Sequence, residues 1–216
     1  MKKFKKIISF VCLIMLSAVL FAGCEDSNIT KLRKDFASLN FTNYYGYMQT
    51  IEVQSSALSY TSYEKTIGFN GQNYKVIEKE RVLNSVEASE QFTVTENTYY
   101  VVNGVKRELV DGKYKDTERA EVSLNLGIKI KEEYFKAFTV QEDSYGLKTF
   151  NGIILTAKCG EFLGKEVTDV NSMTLKVIVK SNKLDTCIIE YTKTDNSKIT
   201  MTTTFFTEAM SFTLPE

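Results

Sequence analysis

Residues 175–206 read LKVIVKSNKLDTCIIEYTKTDNSKITMTTTFF, and this stretch decides the fold. From Leu175 to Val179 every second residue is apolar, which is typical of a strand with one buried face. A turn at Ser181-Asn182-Lys183 and another at Asp195-Asn196-Ser197 separate this run from two further β-rich runs. Because short turns join strands that are neighbours and opposite in direction, the stretch predicts an antiparallel meander.

The same pattern extends back to Phe41. Asn70-Gly71 and Asn103-Gly104 each separate two runs rich in Val, Thr, Tyr and Phe. An Asn-Gly pair accepts the positive φ angles of a type I′ turn, so both sites predict tight β-hairpins. We therefore expect residues 41–216 to form a single antiparallel β-rich domain.

Three segments predict short helices instead. After a polar tether, residues 25–40 place Ile29, Leu32 and Phe36 at helical spacing. In residues 130–138, Tyr134 and Phe138 stand four apart with a charged residue between them, as on one side of a helix. A further helical turn is expected at residues 161–165, between a strand that ends at Cys159 and one that begins near Met173.

The N-terminal region predicts export. Four lysines precede an apolar run of 16 residues at positions 7–22, which is shorter than the roughly 20 residues that cross a bilayer as a helix. Small residues follow at Ala22-Gly23, so residues 1–23 are interpreted as a cleaved signal peptide. The tract resembles the lipobox of bacterial lipoproteins, which implies lipidation at Cys24, with residues 24–40 as lipidated N-terminus, tether and helix. An ordinary signal peptide or an uncleaved anchor helix are the alternatives.

Composition excludes several functional classes. The chain has 27 basic and 27 acidic residues; without residues 1–23, 23 basic and 27 acidic residues remain, interspersed along the chain. Nucleic-acid binding needs a concentrated basic surface, so we expect no nucleic-acid partner. Histidine is absent, which removes the common zinc sites and the Ser-His and Cys-His nucleophile pairs. We expect no catalytic residue, no metal and no cofactor, and a monomer that is not an enzyme.

Two cysteines remain in the predicted domain, Cys159 and Cys187. If their strands flank the strand at residues 175–179, the cysteines are about 9 to 10 Å apart, beyond the roughly 7 Å between Cα atoms that a disulfide allows. We therefore favour no disulfide and interpret both as small apolar core residues, with a bridge as the alternative.

The aromatic residues are the feature most closely tied to function. A single curved sheet with few helices leaves an apolar hollow, whereas the same rings could also pack together as a filled core. Periodicity does not distinguish these two interiors.

The order of elements resembles the LolA and LppX group of lipoprotein carriers. The shared features are a lipidated cysteine, a short N-terminal helix, long antiparallel strands, an aromatic interruption and a closing meander at residues 184–192 and 199–206 followed by Phe212-Thr213-Leu214-Pro215. The resemblance implies a curved sheet or half-open β-barrel of about ten or eleven strands, with short helices that cover its concave face. It also implies that Tyr134, Phe135 and Phe138 belong to a lid over the ligand.

The resulting hypothesis is a lipoprotein anchored on the extracytoplasmic face of the cell membrane that binds a lipid or another apolar ligand in the hollow. The alternative is an envelope protein with a filled core, which acts through protein partners and binds no small ligand.

Overall fold

The computed structural model describes residues 26–56, 59–84 and 91–215. The predicted signal peptide and Cys24 lie outside the described residues. Within these ranges, two α-helices, α1 and α2, and two 3₁₀ turns accompany the strands. The helices are α1 (Ser27–Ala37) and α2 (Cys159–Leu163), and the 3₁₀ turns are Glu132–Tyr134 and Thr156–Lys158. The strands are β1 (Gly46–Ser56), β2 (Ser59–Phe69), β3 (Tyr74–Asn84), β4 (Gln91–Val102), β5 (Val105–Val110), β6 (Lys113–Arg119), β7 (Phe135–Glu142), β8 (Lys148–Ile154), β9 (Val170–Lys180), β10 (Lys183–Lys193) and β11 (Lys198–Phe206).

All eleven strands form one antiparallel sheet in the order β6-β5-β4-β3-β2-β1-β11-β10-β9-β8-β7. The first and last strands of the chain, β1 and β11, pair in the middle of the sheet, from Gly46 opposite Phe206 to Gln54 opposite Lys198. The sheet curves but does not close, so β6 and β7 remain as its two edges. The predicted half-open barrel with a few short helices is confirmed.

The predicted turns are correct at two of three hairpins. Asn103 and Gly104 have φ angles of 53° and 76°, as a type I′ turn requires. Ser181 and Asn182 have φ angles of 51° and 60°, so two residues turn β9 into β10. The type I′ turn expected at Asn70-Gly71 is wrong, since Phe69 pairs with Tyr74 around a four-residue loop.

The side chain of Asn70 accounts for that longer loop. Its Oδ1 accepts hydrogen bonds from the backbone N–H groups of Gln72 and Asn73, at 3.1 and 2.9 Å. An asparagine that bonds the backbone two residues ahead forms its own turn, which competes with the two-residue turn that the pair favours in isolation.

Helix α1 is confirmed where the sequence predicts it. Asp26 caps the helix by accepting a hydrogen bond from the backbone N–H of Asn28 at 2.7 Å. Ile29, Leu32 and Phe36 form its buried face and pack into the core. Among the described residues no helix is both long enough and apolar enough to span a membrane.

The helix expected in residues 130–138 is wrong. Only the 3₁₀ turn Glu132–Tyr134 is helical, and Phe135 already begins the edge strand β7. Phe135 and Phe138 would face opposite sides of a regular strand, but a bulge between Phe135 and Ala137 brings both rings to one side. The rings lie 5.0 Å apart, so the bulge produces the side-by-side aromatics that helical spacing also predicts.

The strand expected to reach Cys159 is also wrong. Strand β8 ends at Ile154, and Cys159 begins helix α2, which overlaps the helical turn predicted at residues 161–165. Cys159 and Cys187 are buried free thiols. The thiol of Cys159 bonds the carbonyl oxygen of Leu155 at 3.5 Å. The strand-spacing argument against a disulfide therefore does not apply to this pair.

Residues 120–131, named the strap, cross from edge strand β6 to edge strand β7 and belong to no strand. Burial in the strap alternates strictly, with every second residue turned toward the core. The residues turned inward are Val122, Leu124, Leu126, Ile128 and Ile130. The strap is therefore an amphipathic extended segment that connects the two edges of the sheet and packs its apolar side against the core.

Candidate functional site

One row of directly paired residues on the concave face changes from apolar to polar along its length. It runs from β7 at one edge to β4 near the other. The row consists of Val140, Phe150, Val177, Cys187, Thr203, Gln49, Lys65, Glu78 and Asn97. We name its β7–β11 side the apolar half and its β1–β4 side the polar half. The neighbouring row on the same face stays apolar across both sides of the sheet, with Phe205, Tyr47, Ile67, Val76 and Tyr99.

The apolar half is covered and largely filled. Helix α1, the strap, the turn at Tyr134 and helix α2 lie over it, and their inward side chains join the residues of β8–β11 in one core cluster. Tyr134, Phe150 and Phe162 are at most 1% exposed. In this half the aromatic rings form a packed core, which is the second of the two interiors that the sequence left open.

A cavity of about 410 Å³ remains between α1 and the strap, and we name it the helix–strap cavity. Its volume is within the range of about 300–1,000 Å³ typical of ligand sites. Six of its lining residues are apolar, namely Phe36, Ala37, Leu39, Leu124, Ile128 and Ile130. Phe36, Leu124 and Ile130 belong to the core cluster, so the cavity reaches the buried interior.

The remaining lining residues of the helix–strap cavity are Arg33, Asn125, Lys129 and Lys131. Three of these are cationic and none is acidic. The ammonium group of Lys131 lies 3.3 Å from a carboxylate oxygen of Glu133 and 5.3 Å from the ring centre of Tyr134. Hydrogen bonding to Tyr134, and then to Glu133, raises the pKa of Lys131, so this lysine stays charged at neutral pH.

A second cavity of about 410 Å³, the sheet groove, lies over the polar half of the sheet. Lys65 and Glu78 form a 2.7 Å ion pair there across β2 and β3. Burial raises the pKa of Tyr47 and of Tyr99, whose rings stand near this pair. The groove is lined by Gln49, Ile51, Tyr63, Glu64, Lys65, Glu78, Lys79, Glu80, Thr95 and Asn97.

The aromatic residues predicted as a lid lie in the 3₁₀ turn Glu132–Tyr134 and in the edge strand β7. Tyr134, in the turn that forms part of the cover, is 1% exposed, and Phe135 and Phe138 pack against the core from β7. None of the three lines the helix–strap cavity or the sheet groove; Phe138 borders a different groove, of about 350 Å³, beside Gly152 and Leu175. Cys24 lies outside the described residues.

Sequence reasoning missed the strap as part of the site. The signal that could have found it is the alternation from Val122 to Ile130, which is as regular as that of any strand in the chain. Within the described part of the chain, no group of three or more Asp, Glu or Cys side chains could hold a metal ion.

Comparisons with known proteins add little beyond the fold. No protein-family model matches the chain, and no curated protein matches it. Among solved structures, the crystal structure of LprF from Mycobacterium bovis is similar, with a TM-score of 0.45 and 14% sequence identity. The alignment covers 90% of this chain and 99% of the LprF chain. The class of fold described here, a half-open barrel with a covered concave face, rests on the unclosed curved sheet and on the core that the covering segments share with it.

Proposed function

We propose that the protein is a lipoprotein anchored through Cys24 to the extracytoplasmic face of the membrane, and that it binds an acyl chain or a similar apolar ligand without catalysis. The observation that carries the proposal is the helix–strap cavity, an apolar space of about 410 Å³ that opens from the core between two covering segments. Ligand sites are concave and mostly apolar, with a few polar groups that orient the ligand.

Burial of apolar surface supplies the affinity. Each Å² removed from water contributes about 25 cal/mol, so an acyl chain that buries roughly 200 Å² gains about 5 kcal/mol before ordering costs. Apolar side chains such as Phe36, Ile128 and Ile130 line the floor of the cavity, and the acyl chain of the ligand would replace water there. The sheet groove is the alternative site for such a ligand, and it differs in that glutamates as well as lysines line it.

The strap provides a route into the cavity. Among the described residues, three backbone hydrogen bonds join it to other elements. Ala120 N–H donates to the carbonyl oxygen of Gly104 at 3.0 Å at its start, and Lys129 N–H donates to that of Phe162 at 2.8 Å near its end. The carbonyl oxygen of Lys131, the last residue of the strap, accepts a hydrogen bond from Tyr134 N–H at 3.1 Å. A strand of equal length inside a sheet would be held by backbone hydrogen bonds along its whole length. Because segments with few hydrogen bonds open at low free energy, the strap is the part of the cover that gives way to a ligand.

The anchor places this cavity near the bilayer. Cys24 is two residues before Asp26, the cap of α1, and two extended residues span about 7 Å. Two acyl chains on Cys24 hold a protein firmly at a membrane. The C-terminal half of the same helix lines the cavity, so the proposed ligand site lies a short distance from the source of lipid.

The proposal is tested by native mass spectrometry of the protein purified with its lipids, together with displacement of a fluorescent fatty acid. Ala37→Trp places a large ring in the helix–strap cavity, and Ala209→Trp makes the same change at an exposed position that lines neither cavity. We expect Ala37→Trp to weaken fatty-acid binding at least tenfold and Ala209→Trp to leave it unchanged. Equal affinities of both variants and the parent protein would refute the site.

A further inference from the structure

We infer that the helix–strap cavity selects amphiphiles with an anionic headgroup, a carboxylate or a phosphate, over neutral amphiphiles with the same chain. This inference rests on the proposed function, since it assigns the chemical class of the ligand that the cavity holds. It comes from the arrangement of charge around the cavity, in which apolar residues form the floor and cations form the rim.

The strap produces this arrangement by its alternation. Ile128 and Ile130 turn toward the core, while the alternate residues Lys129 and Lys131 are exposed. Helix α1 also presents a buried apolar residue and an exposed cation, from the opposite side of the cavity. Phe36 is buried, and Arg33, which also lines the cavity, is exposed. An acyl chain among the isoleucines therefore has its headgroup at the level of the three cations.

No acidic residue lines this cavity, and the ion pair that Lys131 makes with Glu133 is weak. The Lys131–Glu133 pair measures 3.3 Å, and the side chains of both residues are more than half exposed. Exposed pairs of this kind contribute little free energy, so Lys131 can exchange Glu133 for a ligand anion at small cost.

The sheet groove provides an internal contrast. It has the same volume of about 410 Å³, but two lysines and three glutamates line it, and Lys65 is already bonded to Glu78 at 2.7 Å. An anion placed there meets an excess of negative charge. The two cavities thus differ in the sign of charge that they favour, and only the helix–strap cavity combines a cationic rim with an apolar floor.

The test compares chain-matched probes at pH 8, namely palmitate, methyl palmitate and palmitoyl lysophosphatidic acid, with inorganic phosphate as the headgroup alone. We expect palmitate and the lysophosphatidic acid to bind about five- to tenfold more tightly than the ester, as charge-assisted hydrogen bonds to one or two cations would give. Inorganic phosphate should not displace the fluorescent chain, because it lacks the apolar part.

The double variant K129Q/K131Q should remove this preference while it leaves the affinity for methyl palmitate within twofold. The matched control K113Q/K115Q changes two exposed lysines at the same spacing on β6 and should keep the preference. Equal binding of ester and acid by the parent protein, or a preference that survives K129Q/K131Q, would overturn the inference and leave the proposed function intact. Failure of all three chain-bearing probes to bind would overturn both.

Discussion

The hydroxyl oxygen of Tyr44 accepts a hydrogen bond from the backbone N–H of Leu184 at 2.8 Å, across 140 positions of sequence. Tyr44 lies in the segment between helix α1 and strand β1, and Leu184 is the second residue of β10, beside a bulge. Both residues are buried, and the Tyr44 ring also lies 5.5 Å from the ring of Phe205 on β11. This contact joins the segment that follows the covering helix to strand β10.

Tyr44→Phe should therefore lower the free energy of unfolding by about 1–3 kcal/mol, since it leaves a buried N–H group without its acceptor. Chemical denaturation of the parent and the variant measures this change. Tyr145→Phe is the control, because Tyr145 is 94% exposed and its substitution should change stability by less than about 0.5 kcal/mol. Equal stability of the two variants would show that the Tyr44 hydroxyl contributes nothing.

Gly152 allows the bulged edge strand to pack. A Cβ atom at this position would lie 2.6 Å from a ring carbon of Phe135, which is too close for any side chain. Gly152→Ala should destabilise the protein by about 1–3 kcal/mol through overpacking. Thermal or chemical unfolding measures the loss.

A smaller residue at position 135, whose ring lies against Gly152, provides the matched test. In the double variant G152A/F135L the ring is gone, so the cost of the alanine should fall, and a double-mutant cycle should give a coupling of at least about 0.5 kcal/mol. Additive effects of the two substitutions would contradict the contact as described.

Burial raises the pKa of the Cys187 thiol from 9.0 to about 12. In the unfolded chain the thiol ionises above about pH 9, whereas in the folded protein it stays neutral until about pH 12. The contribution of the neutral thiol to the free energy of unfolding is thus complete below pH 9 and is lost as pH rises toward 12. Between pH 9 and pH 10 the free energy of unfolding should fall by about 1 kcal/mol because of this group. Denaturation of parent and Cys187→Ala at those two pH values checks this, and the variant should show a shallower decline. The same decline of stability in both proteins would contradict the raised pKa of Cys187.

Lipidation of Cys24 predicts the location of the protein in the cell. Cys24→Ala should move it from the membrane fraction to the soluble extracytoplasmic fraction or leave it with an uncleaved leader, because the diacylglyceryl acceptor is missing. Fractionation with immunoblotting and intact-mass measurement reads both outcomes. A Cys24→Ala protein that remains in the membrane fraction with a cleaved leader would contradict the proposed anchor.

Sequence periodicity predicted the central strands because it reports which face of a segment is buried. Val177 and Ile189 lie on strands where burial alternates, and both were placed on the correct elements. The same signal could not show that residues 122–130 have no paired strand, since an unpaired strap and a paired strand bury alternate side chains in the same way. Pairing depends on residues distant in sequence.

The candidate site was harder to predict for a related reason. The family resemblance implied a lid of Tyr134, Phe135 and Phe138, and the spacing of Tyr134 and Phe138 predicted a helix there. The chain instead forms a single 3₁₀ turn and a bulged strand, on which Phe135 and Phe138 lie side by side. The change from apolar to polar along one row of the concave face arises only when Thr203 pairs with Gln49 and Gln49 with Lys65. No local pattern contains that information.

The most direct test of the account is a crystal structure of the protein with a fatty acid that carries bromine at the end of its chain. We predict an anomalous bromine peak between helix α1 and the strap, among Phe36, Leu124 and Ile130, with the carboxylate toward Arg33, Lys129 and Lys131. A bromine peak in the sheet groove, or a saturated crystal with the helix–strap cavity free of ligand, would contradict the assignment of this cavity as the ligand site.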